Sequence, residues 1–159
     1  MGRHQLPVNG VAVTPEGEII SVGNDRVGRI WDVGAPGSLG MLSGANDWLW
    51  AVAVTLEGKV VAGGYSGTLW LWDPAMPGEP CQELGHHDGG LRAIAGTPNG
   101  QVISGGFDGA ITLWDPATPH GNGRTLAVRD GSISAVTVTE TNAVIAGCIS
   151  GLTVFQMMP

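Results

Sequence analysis

A chain of 159 residues and 16.3 kDa, 43% hydrophobic, is long enough for one packed domain and too apolar for disorder. Its formal charge of -7, with Lys59 the single lysine beside six arginines, leaves no basic stripe for phosphates and argues against nucleic acid. No apolar run approaches the ~20 residues of a membrane span, and MGRHQLPVNG lacks the apolar core of a leader, so the expectation is a soluble, cytoplasmic protein that engages no membrane.

Four segments in chain order repeat one another with at most a one-residue gap. They are VAVTPEGEIISVGNDRVGRIWD (11–32), VAVTLEGKVVAGGYSGTLWLWD (52–73), IAGTPNGQVISGGFDGAITLWD (94–115) and VTVTETNAVIAGCISGLTVFQ (136–156). Trp31, Trp72, Trp114 and Phe155 follow at steps of 41, 42 and 41 residues, and Thr14, Thr55, Thr97 and Thr139 at 41, 42 and 42. Within each repeat, short runs rich in Val, Ile and Thr are broken by EG, NG, DG or SG pairs, the signature of strands joined by tight turns. Glycine is too frequent for ordinary helices and no segment keeps apolar residues at helical spacing, so the fold class is all-β. Three strands per repeat are plain: an inner one ending at the threonine, one such as QVISGG and one such as AITLWD. Weaker fourth strands are expected at SLGMLSG, CQELGHH and RTLAV, giving a four-stranded antiparallel sheet per repeat.

The stretch HHDGGLRAIAGTPNGQVISGGFDGAITLWD, with its histidine, turn aspartate and Trp-Asp pair in order, resembles a WD repeat of the β-propeller superfamily. The resemblance extends over essentially the whole chain through IWD and LWD, and is weakest in the last repeat, where FQ replaces WD. It implies one domain, 1–159, of four blades at about 4–43, 44–85, 86–127 and 128–159. Four such blades fall short of a closed ring, and QMMP leaves no outer strand for the fourth. The expectation is a two-fold homodimer that completes an eight-bladed ring, or else a half-propeller subunit or fragment completed by another polypeptide.

The same resemblance bears on a constellation that looks catalytic. His4 and His87 each stand 21 residues before Asp25 and Asp108, and Ser21 and Ser104 stand ten residues before Trp31 and Trp114. Histidine, aspartate and serine together suggest a hydrolase. In WD repeats the corresponding four residues instead form a buried chain from indole to hydroxyl to imidazole to carboxylate, which leaves no buried polar atom without a partner. His4, Ser21, Asp25 and Trp31, and likewise His87, Ser104, Asp108 and Trp114, are therefore expected to be structural. Ala45, Ala62 and Ser66 break the chain in repeat two, and Arg129, Ala146 and Ser150 in repeat four. His86 and His87 have no companions at metal-ligand spacing, His120 falls in a turn, and Cys81 and Cys148 read as free buried thiols. The glycine-rich segments match no phosphate or dinucleotide fingerprint. No catalytic residue, cofactor or metal is expected.

The stretch NDWLWAV (46–52) carries two indoles at spacing two, which in a regular strand project to one side. Asn46 and Asp47 read as exposed turn residues. In the family resembled, the residues flanking the first apolar residue of the inner strand, and the one before the turn aspartate, lie on the top rim where partners dock. These are Trp48, Trp50 and Tyr65 in repeat two and Gly90, Arg92 and Phe107 in repeat three, against Pro7, Asn9 and Asn24 in repeat one and Ser132, Ser134 and Ile149 in repeat four. Trp, Tyr and Arg on two adjacent blades are what an interface needs. The expectation is a scaffold binding a protein or peptide through Trp48, Trp50, Tyr65, Arg92 and Phe107, the alternative being a sugar stacked on the indoles.

Overall fold

The computed structural model describes residues 2–76 and 79–157. The sequence expectation also assigns Pro77 and Gly78 to blade two and Met158 and Pro159 to blade four, and these lie outside the described residues. Among the described residues there is no helix, and none therefore long and apolar enough to cross a membrane.

Each repeat folds into its own antiparallel sheet with neighbours in chain order. Blade one holds β1 (Val8–Val13), β2 (Ile19–Gly23), β3 (Gly28–Trp31) and β4 (Ser38–Leu42). Blade two holds β5 (Leu49–Val54), β6 (Val60–Gly64), β7 (Thr68–Trp72) and β8 (Gln82–His86). Blade three holds β9 (Leu91–Gly96), β10 (Val102–Gly106), β11 (Ala110–Trp114) and β12 (Arg124–Val128). Blade four has three strands among the described residues, β13 (Ile133–Val138), β14 (Ala143–Cys148) and β15 (Gly151–Gln156). The three weak outer strands read from the sequence are thus β4, β8 and β12.

The repeated threonine has a local job. The hydroxyls of Thr14, Thr55, Thr97 and Thr139 accept the amides of Glu18, Lys59, Gln101 and Ala143, four residues on, which closes the turn between first and second strands in every blade. That turn needs a left-handed residue, supplied by Gly17, Gly58 and Gly100 and, in blade four, by Asn142 at φ 60°. The aspartate of each Trp-Asp pair works in the same local way. Asp32, Asp73 and Asp115 accept the amides of Gly34, Ala75 and Ala117 two residues on, turning the chain after the third strand.

The core lies between the sheets. Ile20, Val22 and Leu42 of blade one pack on Val52, Val60, Ala62 and Trp72 of blade two. Val61, Leu69, Leu71 and Leu84 of blade two pack on Leu91, Val102 and Trp114 of blade three. Ile103, Ile111 and Leu113 of blade three pack on Ile133, Val144 and Ala146 of blade four. Neighbours in a strand, such as Val60 and Val61, therefore serve different interfaces, as the side-chain alternation of a strand requires. Sheets covered on both faces read as continuous apolar runs for this reason.

Close approach of the sheets leaves no room at Gly85, where an added Cβ would lie 2.1 Å from Trp114 Cζ3. At Gly40 on β4 the nearest atom would be Ile30 Cδ1, at an ordinary 3.6 Å. Gly85→Ala is expected to destabilise the fold by about 1–3 kcal/mol through displacement of the indole, and Gly40→Ala to be near neutral. Thermal unfolding of the two variants checks this, and equal shifts would contradict the packing described.

Candidate functional site

Two polar chains run through the molecule. In blade three the Trp114 indole donates to Ser104 Oγ at 2.6 Å, Ser104 lies 2.6 Å from His87 Nε2, and His87 Nδ1 meets the Asp108 carboxylate at 2.9 and 3.1 Å. In blade one Trp31 donates to Ser21 at 2.7 Å, Ser21 lies 2.7 Å from His4 Nε2, and His4 Nδ1 lies 2.8 and 3.0 Å from Asp25. The carboxylate can only accept, so the imidazole donates to it from Nδ1, and in the neutral ring Nε2 then accepts the proton of the serine hydroxyl, whose oxygen accepts the indole N–H. Each aspartate also accepts a backbone amide of the preceding loop, from Gln5 and Asp88. Burial pushes the Asp25 carboxyl up, but the hydrogen bonds from His4 and the Gln5 amide outweigh it and hold the group below its ordinary value of 3.8.

The order of partners is that of a hydrolytic triad, but the access is not. Ser104 is fully buried, and Trp114 takes a lone pair of its oxygen. Cys81 and Cys148 are free and half-buried rather than buried as the sequence reading has them. Among the described residues no group of three or more His, Cys, Asp or Glu side chains could hold a metal ion.

Blade two solves the same problem differently. The Trp72 indole donates to the Ser43 carbonyl at 2.7 Å in place of a serine hydroxyl. Asp47 accepts the amides of Trp48 and Ser66, so the carboxylate sits in the preceding loop and reaches the turn, the reverse of Asp25 and Asp108. This corrects the reading of Asp47 as an exposed turn residue: it is half-buried, although Asn46 is exposed. The missing signal was Ser66 itself, since a turn without its carboxylate calls for one from the facing loop.

Directly beside Asp47 the rim residues come together. The Trp48 and Tyr65 rings lie 5.7 Å apart, Tyr65 and Trp50 5.8 Å at 83°, and Trp50 and Phe107 6.2 Å at 81°. Arg92 stands over Phe107, its guanidinium carbon 5.3 Å from the ring centre. The five residues form a band across blades two and three. Trp48, Tyr65, Phe107 and Arg92 are exposed, and Trp50 is half-buried at the centre.

Simple alternation does not create this arrangement. Leu49 pairs with Gly64 and Ala51 with Gly63, so Trp50 is the extra residue of a β-bulge. The same bulge falls at Asn9 in β1, Arg92 in β9 and Ser134 in β13. Trp48 precedes the strand and Trp50 is bulged, and the two indoles flank Tyr65. Turn amides complete the rim, with Asn24, Tyr65 and Phe107 donating to the carbonyls of Pro7, Trp48 and Gly90. Two further residues belong here. Asn9 donates to Leu49 of the next blade and to Asn24, and with Trp50, Arg92 and Phe107 it bounds a hollow of about 390 Å³. A Cβ at Gly90 would lie 3.0 Å from Phe107 and 3.1 Å from both Trp50 and the Tyr65 carbonyl, a tight fit on three sides.

Repeated four-stranded blades whose apolar faces pack on one another, with indole-to-carboxylate chains and an aromatic rim, define a propeller of the WD class. The family model described as WD domain, G-beta repeat, matches residues 1–32, 37–73 and 78–115, more than half of the chain. The chain belongs to the WD-repeat family. No curated protein matches it. Among solved structures it is similar to the crystal structure of the computationally designed Ika4 protein, with a TM-score of 0.79 at 24% identity over 99% of this chain and 100% of that one, a likeness of fold.

His87→Ala would strip partners from the Asp108 carboxylate and the Ser104 hydroxyl. It is expected to cost on the order of 1–3 kcal/mol for each group left unsatisfied. Ser66→Ala keeps the backbone amide that Asp47 holds and loses two exposed hydrogen bonds, one its hydroxyl donates to the Thr68 hydroxyl and one it accepts from the Thr68 amide, so its cost is expected to be small beside that of His87→Ala. Thermal unfolding distinguishes the two, and similar small shifts would show that the His87 chain does not hold the blade.

Proposed function

We propose that the protein is a non-enzymatic interaction module that binds a protein or peptide through the rim of blades two and three. The WD-repeat propeller fold supports a scaffold role in general. The observation that carries the finer reading is the continuous band Trp48–Tyr65–Trp50–Phe107 with Arg92 on its end. Contiguous exposed aromatics with a polar edge are the composition of interface hot spots, because each ring buries a large area at small entropic cost. Blades one and four carry Asn9, Asn24, Ser132 and Ser134 in the corresponding positions, so the fold itself does not demand rings there. The same contrast disfavours a sugar site repeated around the ring. Part of the proposal is homo-oligomerisation, four blades serving as half of a ring completed by a second copy.

Trp50 both packs and faces the rim, so its truncation is expected to lower stability as well as binding. Trp48 and Tyr65 are the cleaner probes. Peptides selected from a displayed random library on the wild-type protein are expected to lose at least tenfold in affinity for Tyr65→Ala or Trp48→Ala, about 1.4 kcal/mol or more, with unfolding temperature nearly unchanged. Peptides that bind both variants as tightly as wild type would overturn the assignment.

A further inference from the structure

Inside the chain every blade-to-blade junction is built from the same positions of the repeat, which identifies the faces that lack a neighbour. Toward the preceding blade, blade two presents Val52, Val54, Val60 and Trp72. One repeat earlier stand Val11, Val13, Ile19 and Trp31, and Val11 is 68% exposed where Val52 is 9% exposed. Toward the following blade, blade two presents Ala51, Val61, Leu69 and Leu71. Two repeats later stand Ala135, Ile145, Leu152 and Val154. Leu152 and Val154 are 71% and 59% exposed, where Leu69 and Leu71 are 0% and 6% exposed. The residue types and strand positions that are buried in the middle of the chain are retained in its first and last blades, where no described residue covers them.

We propose that a second copy of this chain covers both faces, the β13–β15 sheet of each protomer packing on the β1–β4 sheet of the other. The occupant follows from continuity with the interface that occurs three times inside the chain: one end offers its forward half and the other its backward half, and each copy carries one of each. Such a junction is heterologous, and two of them related by a two-fold axis leave no end face bare. Closing the ring removes the apolar surface of both end faces from water, and the driving force is that of the internal junctions. The inference rests on the half-ring reading and is independent of rim binding.

Light scattering after gel filtration tests both levels. The wild type is expected at twice the 16.3 kDa of the chain. Val11→Asp and Val154→Asp alter opposite faces at exposed positions, so circular dichroism of each is expected to match wild type. Either substitution places an unpaired carboxylate in both junctions and is expected to raise the dissociation constant by at least ~100-fold. A mixture of the two variants forms one junction free of substitutions, so it is expected to associate more tightly than either variant alone. A monomeric wild type would overturn the half-ring reading itself. A dimeric wild type whose two variants dimerise unchanged, or whose mixture gains nothing, would overturn this pairing of faces while leaving the half ring standing. A trimer or an open series of masses would overturn the two-fold closure.

Discussion

The requirement that a sheet apolar on both faces be covered on both faces governs this molecule. β6 and β10, the second strands of blades two and three, are buried at every residue. β1 and β15, built from the same kind of sequence, alternate between exposed and half-buried because nothing described covers their outer sides. Local strand propensity is shared by all four repeats, so the difference lies in packing alone. Hydrophobic burial scales with the area removed from water, and the three internal junctions therefore supply most of the favourable free energy that ordering the loops and turns opposes.

Within that frame the polar chains decide how each blade is held upright. Blades one and three use an imidazole between hydroxyl and carboxylate, while blade two uses the Ser43 carbonyl for its indole and Asp47 for its turn. The end reached is the same, an indole whose N–H has a partner and a rim turn tied to the loop before the inner strand. The solution in blade two has a consequence for the surface. Asp47 takes the amides of Trp48 and Ser66, which brackets Tyr65 between the residues it fixes, and the bulge at Trp50 then sets that indole between Tyr65 and Phe107. The departure from the repeat pattern and the aromatic rim thus occupy the same loop.

The fold was legible in the sequence because its determinants are periodic. A 41 to 42 residue step, threonine-led turns and alternating apolar runs leave little freedom in placing the fifteen strands of the described residues, and even the weak outer strands at Ser38–Leu42, Gln82–His86 and Arg124–Val128 could be read. What escaped was what the repeat spacing does not show by itself. The bulges at Asn9, Trp50, Arg92 and Ser134 are pairing events between two strands, invisible in either strand by itself, so the spacing of Trp48 and Trp50 did not reveal that Trp50 is a bulged residue. Asp47 escaped because its partners are backbone amides 1 and 19 residues away, one of them across the blade. Gly90 reads as a rim position, but the crowding of Phe107, Trp50 and the Tyr65 carbonyl around it comes from other segments of the chain and is not in its own sequence.

The covering of sheet faces is tested most directly by amide hydrogen exchange followed across protein concentration. Amides of β2 and β14, the middle strands of the end blades, open locally when their outer faces are bare, whereas those of β6 and β10 lie between covered faces in any assembly state. Protection of β2 and β14 that rises with concentration toward that of β6 and β10, which itself stays constant, is the result expected. Protection of the end blades that is independent of concentration and remains below that of the inner blades would contradict it.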